Sequence, residues 1–70
     1  MSPVKKKYFC GRNLFIARIN KGIDLEELAE MVGLTGEQLN NIEQERARPS
    51  IQMIVMLAKV LDVPVDVFFN

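Results

Sequence analysis

What this chain lacks limits the chemistry open to it. Its 70 residues include no histidine and a single cysteine, Cys10, so one copy cannot assemble a Cys/His metal site or a disulfide. No nucleophile stands beside a base, and no glycine loop is spaced to cradle phosphate. Glu26, Glu27 and Glu30 read as the solvated face of a helix, and Cys10 as a buried or half-buried thiol. Enzymatic activity, cofactors and metal binding are therefore not expected. What remains is hydrogen-bonding chemistry. In "LTGEQLNNIEQ" a wheel of about 100° per residue puts Glu37, Asn40, Asn41 and Gln44 opposite Leu39 and Ile42, with Gly36 near the leading end. Amides and a carboxylate can match donors and acceptors on a partner, but without a cation they attract no anion.

The elements that must position this face are legible from caps and periodicity. From about Cys10 to Lys21, Leu14, Ala17 and Arg18 share one helical face, and Gly22 ends the element. Asp24 with Glu27 three residues later is a capping pair. It opens a second helix with Leu28, Ala29 and Val32 inward and Gly33 as the stop. Thr35 with Gln38 repeats the capping pattern for a third helix, with Leu39, Ile42 and Glu43 on its inner face. "ERARP" is a loop. Ser50 caps a fourth helix with Ile51, Ile54, Leu57, Ala58 and Leu61 at helical spacing, and Pro64 starts a last turn from which Val65 and Phe68 return to the core. Five helices are expected, an all-α fold. Residues 1–9 form a basic leader, either an arm or a short edge strand, and residues 10–70 form the domain.

Composition sets the class. Apolar residues make up 49% of the chain and charged residues 26%, the balance of a globular protein with one small core. The longest apolar run, Met53 to Ala58, is too short to span a membrane, and no signal-peptide pattern opens the chain. A cytoplasmic location is expected. The formal charge is zero, yet the charges segregate. Lys5, Lys6, Lys7, Arg12, Arg18 and Lys21 precede any acid, and Asp24, Glu26, Glu27, Glu30, Glu37, Glu43 and Glu45 follow without a base until Arg46 and Arg48. Two basic poles flank an acidic middle.

The spacing of Leu28, Ala29, Val32, Gly33, Leu34, Leu39 and Ile42 suits two short helices meeting steeply across a tight turn. At this point "GIDLEELAEMVGLTGEQLNNIEQERARPSIQMIVMLAKVLDV" resembles the helix-turn-helix domain of the lambda-repressor/Cro (XRE-type) family, with similarity from about Cys10 to Phe69. The resemblance implies a compact five-helix lambda-repressor-like DNA-binding domain, acting as a homodimer on double-stranded DNA with a pseudo-palindromic operator to control transcription. It implies a structural ion pair between Arg18 and Glu43, and a third helix in the major groove. Candidate base contacts are Gly36, Glu37, Asn40 and Asn41. Asparagine can pair with adenine N6 and N7, and glutamate can accept from the cytosine amino group. Candidate phosphate contacts are Thr35, Gln38, Arg46 and Arg48, with Lys5, Lys6 and Lys7 as an arm, and free amides at the start of the second helix are a further family anchor. The chain departs from the family pattern at Leu25, which cannot bond phosphate. It departs again at Gly36-Glu37 and at Glu45, whose acids near the groove would repel the DNA backbone.

Apolar residues beyond the core pattern point to a second surface. Phe15, Ile16 and Ile19 on the first helix, Met53, Met56 and Val60 on the fourth, and Phe69 exceed what a core of this size can bury. Met56, Val60, Phe68 and Phe69 are assigned to a dimer or partner surface. Alternatively, Val4 and Tyr8 fold back over the first helix. Two functions follow: a sequence-specific DNA-binding regulator, or a helix-turn-helix-fold interaction module, antirepressor- or antitoxin-like, with weak or no DNA binding.

Overall fold

The computed structural model describes residues 8–70. Among the described residues there are four α-helices, α1 Gly11–Lys21, α2 Leu25–Val32, α3 Gly36–Glu43 and α4 Ile51–Leu61, followed by a 3-10 turn, Val65–Phe68. The starts of α2, α3 and α4 follow from local hydrogen bonds. Asp24 Oδ1 accepts from the Glu27 N–H at 2.8 Å, and Ser50 Oγ accepts from the Met53 N–H at 3.1 Å. Thr35 and Gln38 form a full capping box, with Thr35 Oγ1 accepting at 3.0 Å and Gln38 Oε1 accepting from the Thr35 N–H at 2.9 Å. Each such cap contributes about 1 kcal/mol. The α2–α3 turn depends on Gly33, whose φ of 79° is strained for a residue with a Cβ. The Leu34 N–H closes the turn on the Ala29 carbonyl at 2.8 Å.

The start of α1 is held differently. Cys10 supplies no side-chain cap; instead Glu45, 34 residues away, accepts from the Gly11 N–H at 2.7 Å. Position 11 must be glycine because a Cβ there would run into the Ile42 and Glu43 carbonyl oxygens at the end of α3. Glu45 itself sits at φ 65° without being glycine. That strain, of order 1–3 kcal/mol, is offset by the charge-assisted bond to the positive end of α1. Glu45 was expected to repel the DNA backbone; its carboxylate is turned to α1 instead, because that helix has no other cap.

The core is a wedge between the helices. Leu14, Leu28, Leu39, Leu57, Leu61 and Phe68 are fully buried, each worth about 1.5–3 kcal/mol in apolar area removed from water. Ala17, Ala29 and Ala58 let the helices approach closely. Phe68 corrects one expectation: the 3-10 turn folds against α1 and α4 and leaves this ring 0% exposed, so it belongs to the core and cannot form part of a partner surface. Ile51 and Val65 go the other way. At 70% and 37% exposed they stay outside the core they were expected to join, each being the first residue of its element.

The two ends of the described segment meet. Phe9 and Phe69 form an isolated antiparallel bridge, flanked by the Cys10 N–H on the Phe68 carbonyl at 2.6 Å and the Asn70 N–H on the Tyr8 carbonyl at 3.0 Å. The Phe9 ring lies 6.2 Å from both Phe68, tilted, and Phe69, edge-on, a favourable aromatic geometry. Phe9 makes a single isolated bridge and packs against the core, and the choice between an arm and a short strand for the leader falls on residues outside those described. Val4, Lys5, Lys6 and Lys7 lie outside the described residues. Tyr8, 65% exposed, does not cover α1.

Candidate nucleic-acid interface

Four groups on α3 turn inward. Gly36, Leu39, Ile42 and Glu43 are buried, which leaves Glu37 and Asn41 at the centre of the outward face, flanked by Gln38, Asn40 and Gln44. Glu37, Gln38 and Gln44 are exposed, and Asn40 and Asn41 half-buried. Gly36 is a correction. It is buried beneath the Glu26 carboxylate of α2, which occupies the space a Cβ would take, so Gly36 presents nothing to a base edge. The other candidates, Glu37, Asn40 and Asn41, share one surface.

Rigidity behind that surface comes from Arg18 and Glu43. Arg18 Nε donates to Glu43 Oε2 at 2.7 Å and Nη2 donates to Oε1 at 3.1 Å, a bidentate pair with side chains 8% and 2% exposed. The remaining nitrogen, Nη1, donates to the Ile23 carbonyl at 3.0 Å, and the guanidinium lies 5.4 Å from the Phe15 ring centroid. Every charge is matched, the condition under which a buried pair is tolerable. α1 is thereby bolted to the inner side of α3.

The phosphate candidates lie around the rim. Thr35 and Gln38 each give one acceptor to the capping box, and both keep a donor, the hydroxyl hydrogen and the amide NH2. Arg46 and Arg48 are exposed on the loop after α3. Arg46 Nη1 donates to Asn41 Oδ1 at 3.3 Å, a link between base-facing and loop residues that periodicity does not show. The start of α2 differs from the family anchor: Asp24 accepts there from the Glu27 N–H, Glu26 and Glu27 occupy the first turn, and Leu25 packs against the core. Negative charge fills that end.

The acids flanking α3 divide by use. Glu43 is neutralised by Arg18, and Glu45 is spent on α1. Glu37 is the acid left on the outward face of α3, with Arg46 and Arg48 beyond its C-terminus. Phe15, Ile16, Ile19 and Met56 are exposed, as are Met31 and Val55, whereas Met53, Val60 and Phe69 are half-buried against the core. Of the four residues assigned to a partner surface, Met56 is the one that is exposed, at 42%. Among the described residues no helix is long and apolar enough to cross a membrane.

Comparison with known proteins agrees with this geometry. A helix-turn-helix family model matches residues 14–68. An uncharacterised HTH-type transcriptional regulator of Rickettsia conorii is 34% identical over 62 residues, 89% of this chain and 50% of its own length. The chain thus spans about half the length of the curated relatives it matches. The clp gene regulator ClgR of Corynebacterium glutamicum superposes with a TM-score of 0.78 at 31% identity, covering 81% of this chain and 62% of that one. The biofilm master regulator SinR, solved in complex with DNA, superposes with a TM-score of 0.72 at 39% identity over 79% of this chain and 89% of that one. With its two capped helices meeting at Gly33, its Arg18–Glu43 bolt and this match over most of its length, the chain belongs to the helix-turn-helix family of the lambda-repressor/Cro (XRE) type.

Proposed function

We propose that this chain binds double-stranded DNA sequence-specifically, as a homodimer on a pseudo-palindromic operator, and regulates transcription. One observation carries the reading: Glu37, Asn40 and Asn41 project from a helix fixed from behind, while of the nearby acids Glu43 is paired with Arg18 and Glu45 accepts from the start of α1. Base edges are read by hydrogen bonds, which amides supply without positive charge. Arg46 and Arg48 supply phosphate anchoring, and Thr35 and Gln38 add neutral donors. The relatives are transcriptional regulators, and the SinR structure contains DNA. A two-fold contact through Met56, with Val60 and Phe69 at its edge, sets two α3 helices about one DNA turn apart.

A fluorescence-anisotropy titration on duplexes selected from a random pool, repeated from about 50 mM salt upward, tests the reading. With Arg46 and Arg48 of two subunits on phosphates, log K falls against log salt with a slope of about −4, steeper if Lys5, Lys6 and Lys7 also engage. No binding at the lowest salt removes the proposal.

The interaction-module reading is favoured by one specific observation. The described residues expose the apolar side chains of Met31, Val55 and Met56, which contact of α3 with DNA would leave uncovered. Loss of a protein partner on Met56→Glu, with Asn41→Ala silent, supports that reading over DNA binding.

A further inference from the structure

Asn41 is tied to the loop that follows α3. Its backbone carbonyl accepts from the Arg46 N–H at 2.8 Å and the Ala47 N–H at 3.2 Å, and its side-chain Oδ1 accepts from Arg46 Nη1 at 3.3 Å. Arginine carries five donors and no acceptor, so the atom that faces it is the amide oxygen. Asn41 Nδ2 therefore faces away from Arg46, and no described residue accepts from it. Glu37, Asn40 and Gln44 have no side-chain hydrogen bond to the protein among the described residues. Of the polar side chains on the outward face, the protein sets the orientation of two, Gln38 through the capping box and Asn41 through the loop, and Asn41 is the one at the centre of that face.

We propose that Arg46 is a positioning residue for base recognition: it turns the Asn41 carbonyl toward the loop and presents the NH2 group to the groove. This rests on the DNA-binding reading above. Adenine offers an acceptor, N7, beside a donor, N6, and is matched when an asparagine presents both its oxygen and its nitrogen. Guanine offers two acceptors, N7 and O6, and is matched by a group presenting donors. With Oδ1 held by Arg46, Asn41 favours guanine over adenine at the position it meets. A single exposed bond of this length is weak in water. A phosphate taken by the remaining guanidinium donors fixes the arginine and excludes water, so the orientation is tightest in the complex. Arg46 thus couples phosphate anchoring to base choice, whereas Arg48, which has no bond to Asn41, contributes charge alone.

Selection from a random duplex pool at about 50 mM salt, with the wild type, Asn41→Ala, Arg46→Ala and Arg48→Ala, separates the roles. The Asn41→Ala variant identifies the position, as the one whose preference disappears. The wild type is expected to select guanine there. Arg46→Ala is expected to shift that position toward adenine by about tenfold while leaving the rest of the site unchanged. Arg48→Ala is expected to weaken all duplexes alike and keep guanine. If Arg46→Ala weakens every duplex equally and keeps the wild-type preference, or if the wild type selects adenine at that position, the proposal is overturned and the DNA-binding reading stands. If the wild type selects no duplex, both are overturned.

Discussion

Removing the guanidinium behind α3 is the sharpest test of what holds this fold together. Arg18→Met leaves the Glu43 carboxylate, 2% exposed, without the two bonds it accepts, and leaves the Ile23 carbonyl without its donor. Breaking a buried pair by removing one partner costs about 3–5 kcal/mol, because the stranded charge has lost its water. Both side chains are almost wholly buried, so no discount for solvent screening applies. A domain of this size has a total stability of about 4–10 kcal/mol, so the loss consumes a large share of it. Urea unfolding followed by circular dichroism is expected to show the midpoint fall steeply, and thermal unfolding to drop by at least about 12 °C. The double variant Arg18→Met with Glu43→Leu removes both charges and is expected to recover at least about 2 kcal/mol over the single change. A single variant that loses under about 1 kcal/mol, or a double variant no better than the single, refutes the assignment of this pair as the bolt between α1 and α3.

Other changes probe separate parts of the fold. Gly11→Ala gains at most a small fraction of the helix-propensity difference of about 1 kcal/mol, because the position starts the helix. It drives a methyl group into two backbone carbonyls, at a cost of about 1–3 kcal/mol. Net destabilisation is expected in urea, and unchanged stability contradicts the close approach. Phe68→Ala is expected to destabilise by about 3–5 kcal/mol, as for a fully buried ring; a loss below 1 kcal/mol, readable as about 4–8 °C in a thermal scan, would place the ring outside the core. Met56→Glu puts a charge on an exposed side chain and is expected to yield a folded monomer by sedimentation equilibrium. A variant that remains dimeric moves the two-fold contact elsewhere.

Local interactions are what made much of this fold legible from residues alone. Asp24, Thr35 and Ser50 each hydrogen-bond three residues downstream, and Gly33 marks its own turn, so helix starts and the central corner follow from short patterns. The inward faces of α1 and α3 also follow, because periodicity and burial coincide at Leu14, Ala17, Arg18, Leu39, Ile42 and Glu43. Periodicity failed at element starts, where Ile51 and Val65 stay exposed. Distant contacts carried no local signal. Glu45 reads as a groove acid until α1, 34 residues earlier in sequence, supplies its partner. Gly36 reads as a free leading residue until Glu26 from the neighbouring helix covers it. Phe68 carried two assignments, core and partner surface, and the packing of the 3-10 turn against α1 and α4, with the Phe9 ring beside it, decided for the core. At the candidate interface, Asn40, Asn41 and Glu37 were identifiable by phase, but the bond between Asn41 and Arg46 depends on a loop conformation that residue spacing does not specify.

The most direct test of the central claim, that the outward face of α3 reads base edges, is a paired anisotropy titration of the wild type and Asn41→Ala on a selected duplex and a scrambled one. Asn41 is half-buried at the surface and supports no core contact, so the variant is expected to keep its fold and its affinity for the scrambled duplex. Its preference for the selected duplex is expected to fall by about tenfold, the worth of one good base contact. If Asn41→Ala discriminates as well as the wild type, or if the wild type binds both duplexes equally, this face does not read DNA sequence.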